Sequence, residues 1–411
     1  MKLLVILIAI VCTCFQFYLK YLNYKNRNQP VPDNVKDVFD AETYQKRFDY
    51  EMENTRHGIF SGLCSLILGT VFLATNFHSY LFAKGGLIFD NENVYLLTFF
   101  MFGITMLFGL VIGTAFDAYD TFKIEAKYGF NKTTVGTFIT DAIKDLIINT
   151  IIVTGGLLAL FMWIYNMLGN LVFPIFVGVM ILFILLVQFI GIYIMKLFNK
   201  FTPLEDGSLK DKIISLTERT NYPIKRVFVM DASKRSTKIN AFFTGYGKNK
   251  TIALYDTTIE KLTEDEIISV LAHEIGHAKK KHVWKQMPFT YLTFAILFLF
   301  SYFIFSQADV SQAFGFTELN VGFTLMICLT LFTPAFIFLN LPSSMISRKH
   351  EYEADAYAAE YAGKEATISA DKKLAKENYS NLVPHPFVVK MTYSHPTISQ
   401  RIEAIERMDN G

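Results

Sequence analysis

The chain has 411 residues, 52% of them hydrophobic and only 18% charged, with 40 Phe and 21 Tyr. A soluble enzyme carries charge on nearer a quarter of its residues, so an ordinary water-soluble globule is excluded. A net charge of +2 leaves no basic footprint for nucleic acid.

Seven stretches are long and apolar enough to cross a bilayer: 2–19, 59–83, 95–118, 146–168, 171–196, 288–306 and 321–341. The first resembles a signal peptide in length and in its leading Lys2. No small-x-small cleavage pattern follows it, so a retained helix is expected. Polar intrusions are few (His78, Gln188 and Asn340) and should face the bundle interior or a wet cavity. All four cysteines lie in apolar runs and read as small hydrophobes.

The first loop, 20–58, carries seven Lys/Arg, the second one, the third four, and the fourth and sixth none. Basic loops thus alternate with bare ones. That supports seven spans, with loops one, three and five and the C-terminus in the cytosol. A transporter would show charged or broken helices at midplane; here only Pro174 and Pro334 interrupt spans, and the motif-rich segments lie outside them.

The polar stretches 197–287 and 342–411 flank the sixth and seventh spans. They therefore read as one cytosolic domain, 197–411, split by a transmembrane hairpin at 288–341, after a membrane domain, 1–196, of five helices. Arg226–Met230, Lys238–Thr244 and Thr251–Tyr255 read as strands, the last two joined through a turn at Gly245–Asn249.

Thr263 with Glu266 forms a capping box that opens a helix containing His273-Glu274-Ile275-Gly276-His277. Two histidines four apart share one helix face, within reach of one zinc ion, with Glu274 beside it. A catalytic zinc needs a third protein ligand. Glu351 and Asp355, one turn apart after the seventh span, supply it. One can bind the metal while the other accepts the free ring N–H of a ligand histidine. His350 and Glu353 compete but project about 100° and 200° away. Glu274 then takes the water's proton. His395 and Arg401 are candidates for contacts to the oxyanion or substrate. Asn240-Ala241-Phe242-Phe243 is a candidate sheet edge to which an extended peptide could add.

In this order and between these spans, these residues resemble the type I CaaX prenyl proteases. Ser233-Lys234-Arg235-Ser236 with Asn240-Ala241, Lys248-Asn249-Lys250 with Asp256-Thr257, and Phe122–Glu125 with Gly129–Asn131 share the likeness. Ser347-Arg348 and Tyr393-Ser394-His395-Pro396 do so too. The resemblance spans about residues 30–407.

It implies a mostly α, polytopic membrane protein: seven transmembrane helices around a chamber, with a small α+β gluzincin-like catalytic domain on the cytosolic side. It implies one Zn2+ per chain on His273, His277 and Glu351, with Glu274 as general base and His395 as a catalytic contact. Asp355 then supports a ligand from behind, and Asn240, Ala241 and Arg401 hold substrate. The implied partners are a peptide or protein, C-terminally prenylated, and the lipid bilayer, with no nucleic acid. The interval between Asp256 and the zinc helix is short, and Met408–Gly411 carries no dilysine signal. Both fit a prokaryotic member, so the expected location is a bacterial inner membrane or the endoplasmic reticulum. The second reading is a quality-control metalloprotease with broader, non-prenylated substrates.

Overall fold

Long apolar runs leave the backbone only its own hydrogen bonds inside lipid, and the N-terminal half is accordingly helical. The structure is a computed structural model that describes residues 1–90, 92–224, 226–244, 251–307 and 309–408, without the side chains of 188, 189, 243, 244, 333 and 334. The expected turn at 245–249, the motif at 248–250 and the side chains of Gln188, Phe243 and Pro334 lie outside the described residues.

Helices α1 (Lys2–Asn26), α2 (Ala41–Ala74), α3 (Phe77–Gly85) and α4 (Val94–Tyr119) come first. The expected second span, 59–83, is divided. Asn76 takes the left-handed φ of 58°, a conformation asparagine tolerates, and Lys2 Nζ donates to its Oδ1 at 2.5 Å. α2 instead reaches back to Ala41, where Asp40 accepts from the Thr43 N–H at 2.8 Å. α4 runs on through a π-helical turn at Asp120–Glu125. α5 (Val135–Asp145) joins α6 (Gly156–Leu168) through a second π-helical stretch, Leu146–Gly155, and α7 (Val172–Phe198) follows.

Among the described residues, five helical stretches are long and apolar enough to cross a membrane: Lys2–Asn26, Ala41–Ala74, Val94–Glu125, Val135–Val187 and His282–Phe305. Val321–Phe332 is a shorter apolar one. Only 6% to 22% of each candidate span is buried within the molecule, so most of its apolar surface faces outward or an internal space.

The second half carries β1 (Phe201–Pro203), α8 (Ser208–Arg219), β2 (Arg226–Met230), β3 (Ala241–Thr244), β4 (Thr251–Tyr255), α9 (Asp256–Lys261) and α10 (Glu264–Lys279). It continues with α11 (His282–Phe305), α12 (Asp309–Ala313), α13 (Val321–Leu339), α14 (Leu341–Ala362), α15 (Lys364–Glu377), α16 (Pro386–Thr392) and α17 (Ile398–Glu406). The sheet order is β1-β2-β4-β3, with β2 and β4 parallel and the outer pairs antiparallel.

β3 is an edge strand, as expected, but it begins at Ala241 rather than Lys238. Side chains take over the ladder upstream. Asn378 both accepts from the Ile239 N–H and donates to its carbonyl, each at 3.2 Å, and the Asn240 N–H donates to Thr258 Oγ1 at 2.9 Å. β1 was not foreseen, because three residues are too few to show alternation.

Ile213, Leu216, Ile252, Leu254, Ile267, Leu271 and Ile275 form the core between sheet and helices, each at most 1% exposed. The segment leading into β3 is tied to the membrane helices. Arg235 forks onto Asp141 of α5 at 2.8 and 3.0 Å, Ser236 bridges Asn131, and Lys238 Nζ reaches Glu125 at 3.0 Å. This contact joins the third-loop motif and the 233–241 motif that the sequence shows apart.

Candidate active site

The capping box is formed as expected. Thr263 N–H donates to Glu266 Oε2 at 2.7 Å, and Glu266 N–H donates back to Thr263 Oγ1 at 3.4 Å. α10 buries one face and packs lengthwise on α14. At Gly276 an added Cβ would meet Tyr357 Cβ at 3.0 Å and Ala354 Cα at 3.3 Å. The absence of a side chain there allows the close approach that brings both histidines to Glu351.

His273 Nε2 and His277 Nε2 lie 3.0 Å apart, at 3.5 and 3.4 Å from the two oxygens of Glu351. One donor atom from each of the three residues fits within a 4.8 Å group. Glu351 is 4% exposed, and its Oε2 has no hydrogen-bond partner. Two imidazole nitrogens at that separation cannot both carry protons. Burial and the neighbouring His273 push His277 down to about 3. Burial also opposes a charged His273, but the hydrogen bond to Asp355 and the nearby Glu351 carboxylate outweigh it and hold that ring at about 10. A buried orphan carboxylate oxygen and two converging imidazoles make a donor set that fits a divalent zinc ion.

Each histidine is held from behind, and in two different ways. His273 Nδ1 meets Asp355 Oδ1 at 2.9 Å; Arg401 grips the same carboxylate at 2.8 and 2.5 Å and approaches Asp371 at 3.1 Å. Although burial opposes its charge, the Arg401 guanidinium beside Asp355 keeps that carboxyl well below the usual range. Asp371 is pushed up to about 6 by its own burial, against the pull of Arg401.

His277 Nδ1 instead meets His282 Nδ1 at 2.9 Å, and His282 Nε2 meets Glu353 Oε2 at 3.2 Å. The His282 ring stacks on His350 with centroids 4.0 Å apart. Lys281, at a left-handed φ of 57°, breaks the chain between α10 and α11 and turns His282 back to the site.

Asn240, Ala241, His273, Glu274, Glu351, His395 and Arg401 all line one cleft of ≈ 160 Å³. Burial raises the Glu274 carboxyl above its ordinary value. His395 has a 61% exposed side chain. It lies 3.4 Å from Glu351 through Nε2, with Nδ1 against Ser394 Oγ at 2.8 Å. Asn240 Oδ1 accepts from the Ala241 N–H at 2.8 Å. His277 and Asp355 do not line this cleft but contact residues that do, His277 through Glu351 and Asp355 through His273. His282 and Asp371 were missed, and Glu353 was weighed only as a competing metal ligand. The one signal for His282 is its place five residues after His277.

A donor set that fits a metal, beside a buried glutamate in a chain rich in long apolar helices, points to a membrane metalloendopeptidase. Residues 203–409 match the model of peptidase family M48, and residues 20–200 match that of the CAAX prenyl protease N-terminal region, five membrane helices. CAAX prenyl protease 1 of Saccharomyces cerevisiae is 33% identical, over 98% of this chain and 95% of that protein. A rice CAAX prenyl protease 1 homolog is 30% identical, over 99% and 97%. The crystal structure of S. mikatae Ste24p superposes with a TM-score of 0.91 at 31% identity, covering 98% of this chain and 99% of that one. The chain belongs to peptidase family M48, among the CAAX prenyl proteases. Family M48 is in general zinc-dependent, which agrees with the donor set.

Proposed function

We propose that this chain is a zinc endopeptidase that removes the last three residues of C-terminally prenylated proteins. The observation that carries the reading is the single cleft shared by His273 and Glu351 of the donor set, Glu274, His395 and the edge of β3. His273, His277 and Glu351 would hold one zinc, which supplies Lewis acidity toward the scissile carbonyl and toward water. Glu274, raised by burial, takes the proton of the attacking water and returns it to the leaving amine. His395, exposed at the mouth, donates to the developing oxyanion. Asp355 holds His273 in one tautomer, with Arg401 clamping Asp355 more than it offers itself to substrate. His282 does the same for His277, backed by Glu353. The substrate backbone adds beside Ala241, with Asn240 at the entry.

The chain is read as seven spans around a chamber, with the gluzincin-like half on the cytosolic side. The apolar stretch Val135–Val187 supports this count: at 1.5 Å per residue its 53 residues would reach about 80 Å, more than twice a hydrocarbon core. Gly169, at φ 56°, is where it turns back. With Val321–Phe332 added, the five candidates become seven. Helices so little buried against one another support a hollow centre. Division into 1–196 and 197–411 agrees with the break between the matched ranges at 200 and 203. The basic first and third loops support a site on the cytosolic side. The eukaryotic sources of the relatives favour an endoplasmic-reticulum membrane over a bacterial one.

The test compares a farnesylated CaaX peptide with its unprenylated twin, using purified protein. Cleavage after the cysteine, restricted to the prenylated peptide, is the expected result. Equal cleavage of both would replace this reading with the broader quality-control one, and no cleavage of either would overturn both.

A further inference from the structure

Where α1 leaves its apolar stretch it lies against the first turns of α2 and the stretch before α16. A small cavity of ≈ 60 Å³ opens there, lined by Lys20, Arg27, Arg47, Glu51 and Asn381. Three cations face one carboxylate. Glu51 is already engaged, accepting from Arg47 Nη2 at 2.7 Å and from Asn381 Nδ2 at 2.8 Å. Among the described residues the Arg27 side chain donates only to the carbonyl of Tyr24, and it lies over that ring at 3.9 Å. Neither Lys20 nor Arg27 has a carboxylate partner among the described residues.

Arg47 is the second, independent sign. It is 2% exposed, and its Nε is buried with no hydrogen-bond partner among the described residues. A buried guanidinium ordinarily uses every donor, because an unmet one forfeits its hydration without return. The backbone also makes room for the charge. An added Cβ at Gly58 would come within 2.5 Å of Lys20 Nζ, so the ammonium rests on the bare face of α2.

We propose that this junction binds a phosphate group, presented by a lipid headgroup or as free phosphate. Tetrahedral oxyanions accept charge-assisted hydrogen bonds from several directions at once, which suits an ammonium, a guanidinium and an unpartnered Nε on residues that line one small space. A nucleotide or larger cofactor is too big for the cavity. Its place at the end of the first apolar helix is the headgroup depth, where basic residues meet anionic lipids. A phosphate there would join α1, α2 and the segment at Asn381, three parts distant in sequence. The site is separate from the catalytic cleft, so its failure would leave the peptidase reading untouched.

Full-length protein in detergent is titrated with dioleoyl phosphatidic acid, with dioleoylglycerol as the phosphate-free control, and with inorganic phosphate. Native mass spectrometry counts bound lipid, and thermal shift reads the ion. One saturable phosphatidic acid per chain is expected, with dioleoylglycerol adding none. In Lys20→Gln/Arg27→Gln its affinity should fall at least tenfold while zinc content and ligand-free Tm stay unchanged. Gly58→Ala is the second variant. It displaces only the flexible end of Lys20, so the fold is kept while affinity falls. A response confined to the lipid assigns a headgroup site, and a variant-sensitive response to both probes assigns a site for free phosphate as well. Equal affinity of wild type and both variants for both probes overturns the proposal.

Discussion

The two halves of the chain use apolar residues for opposite ends. In the membrane half α2 runs 34 residues with only Arg47 and Leu73 buried, and Leu63, Ile67 and Val71 stand exposed. In the catalytic half α10 runs 16 residues and buries eight of them. A helix in lipid needs no partner to hide its side chains, so it can stand as a wall with two open faces. A helix beside water must pack, and packing is what holds four site groups to fractions of an ångström. The catalytic half is therefore the part that should be brittle.

The sharpest difference is expected at the cleft. Glu274→Gln should lower peptide cleavage by about 10³-fold or more while the protein keeps its zinc, because it removes the base and no donor atom. Normal turnover in that variant would remove the proposed chemistry.

Next in size is a pair of truncations that compare the halves directly. Leu271, fully buried in α10, should cost about 2–5 kcal/mol on truncation to alanine, whereas Leu107, 56% exposed on α4, should stay within about 0.5 kcal/mol. Matching losses of Tm in the two variants would dissolve the contrast between wall and core.

A smaller effect separates the two supports behind the histidines. His282→Ala should weaken zinc binding about 10–100-fold, measured by competition with a chelator, with His282→Asn restoring part of it through an acceptor near the Nδ1 position. Unchanged affinity in the alanine variant would make His282 a packing residue only.

The smallest shift concerns pH. Glu266 is buried at the start of α10, which works against its charge, but Lys373, Ser369 and the Thr263 N–H hold its carboxyl below the ordinary value. Its contribution is then complete above about pH 4.3 and is lost as pH falls through the folded value. Glu266→Gln should cost about 1 kcal/mol at neutral pH, with the loss shrinking as pH falls through the folded value, so that the variant approaches wild type in acid and its profile is flatter there. A parallel profile would remove Glu266 from the acid response.

Much of the cleft was legible because its residues sit at helical spacings that hydrogen bonding and metal chemistry make recognisable. The capping box located α10, and the one-turn interval of Glu351 and Asp355 located their shared face. The assignment between those two was left open by spacing alone. In the structure Glu351 faces both Nε2 atoms and Asp355 faces Nδ1 of His273.

His282 was illegible because it begins the next apolar helix, and only the left-handed Lys281 sends it back. Glu353 was set aside as projecting away from the metal group, and that direction is where His282 stands. The break at Asn76 escaped because hydropathy averages over a window and does not register one residue's φ. The contact between 129–131 and 233–240 is tertiary, and nothing in either segment names the other.

Gly276 closes the comparison between pattern and molecule. Written as H-E-x-x-H, the motif leaves its fourth place blank, as if any letter would serve. Here a Cβ at that place would meet Tyr357 at 3.0 Å, tighter than side chains ordinarily meet, so a single methyl would force one helix to give by tenths of an ångström. The two histidines and Glu351 ride on those two helices. The blank thus carries spelling of its own, and a search written with it would accept sequences that this pair of helices would have to shift to accommodate.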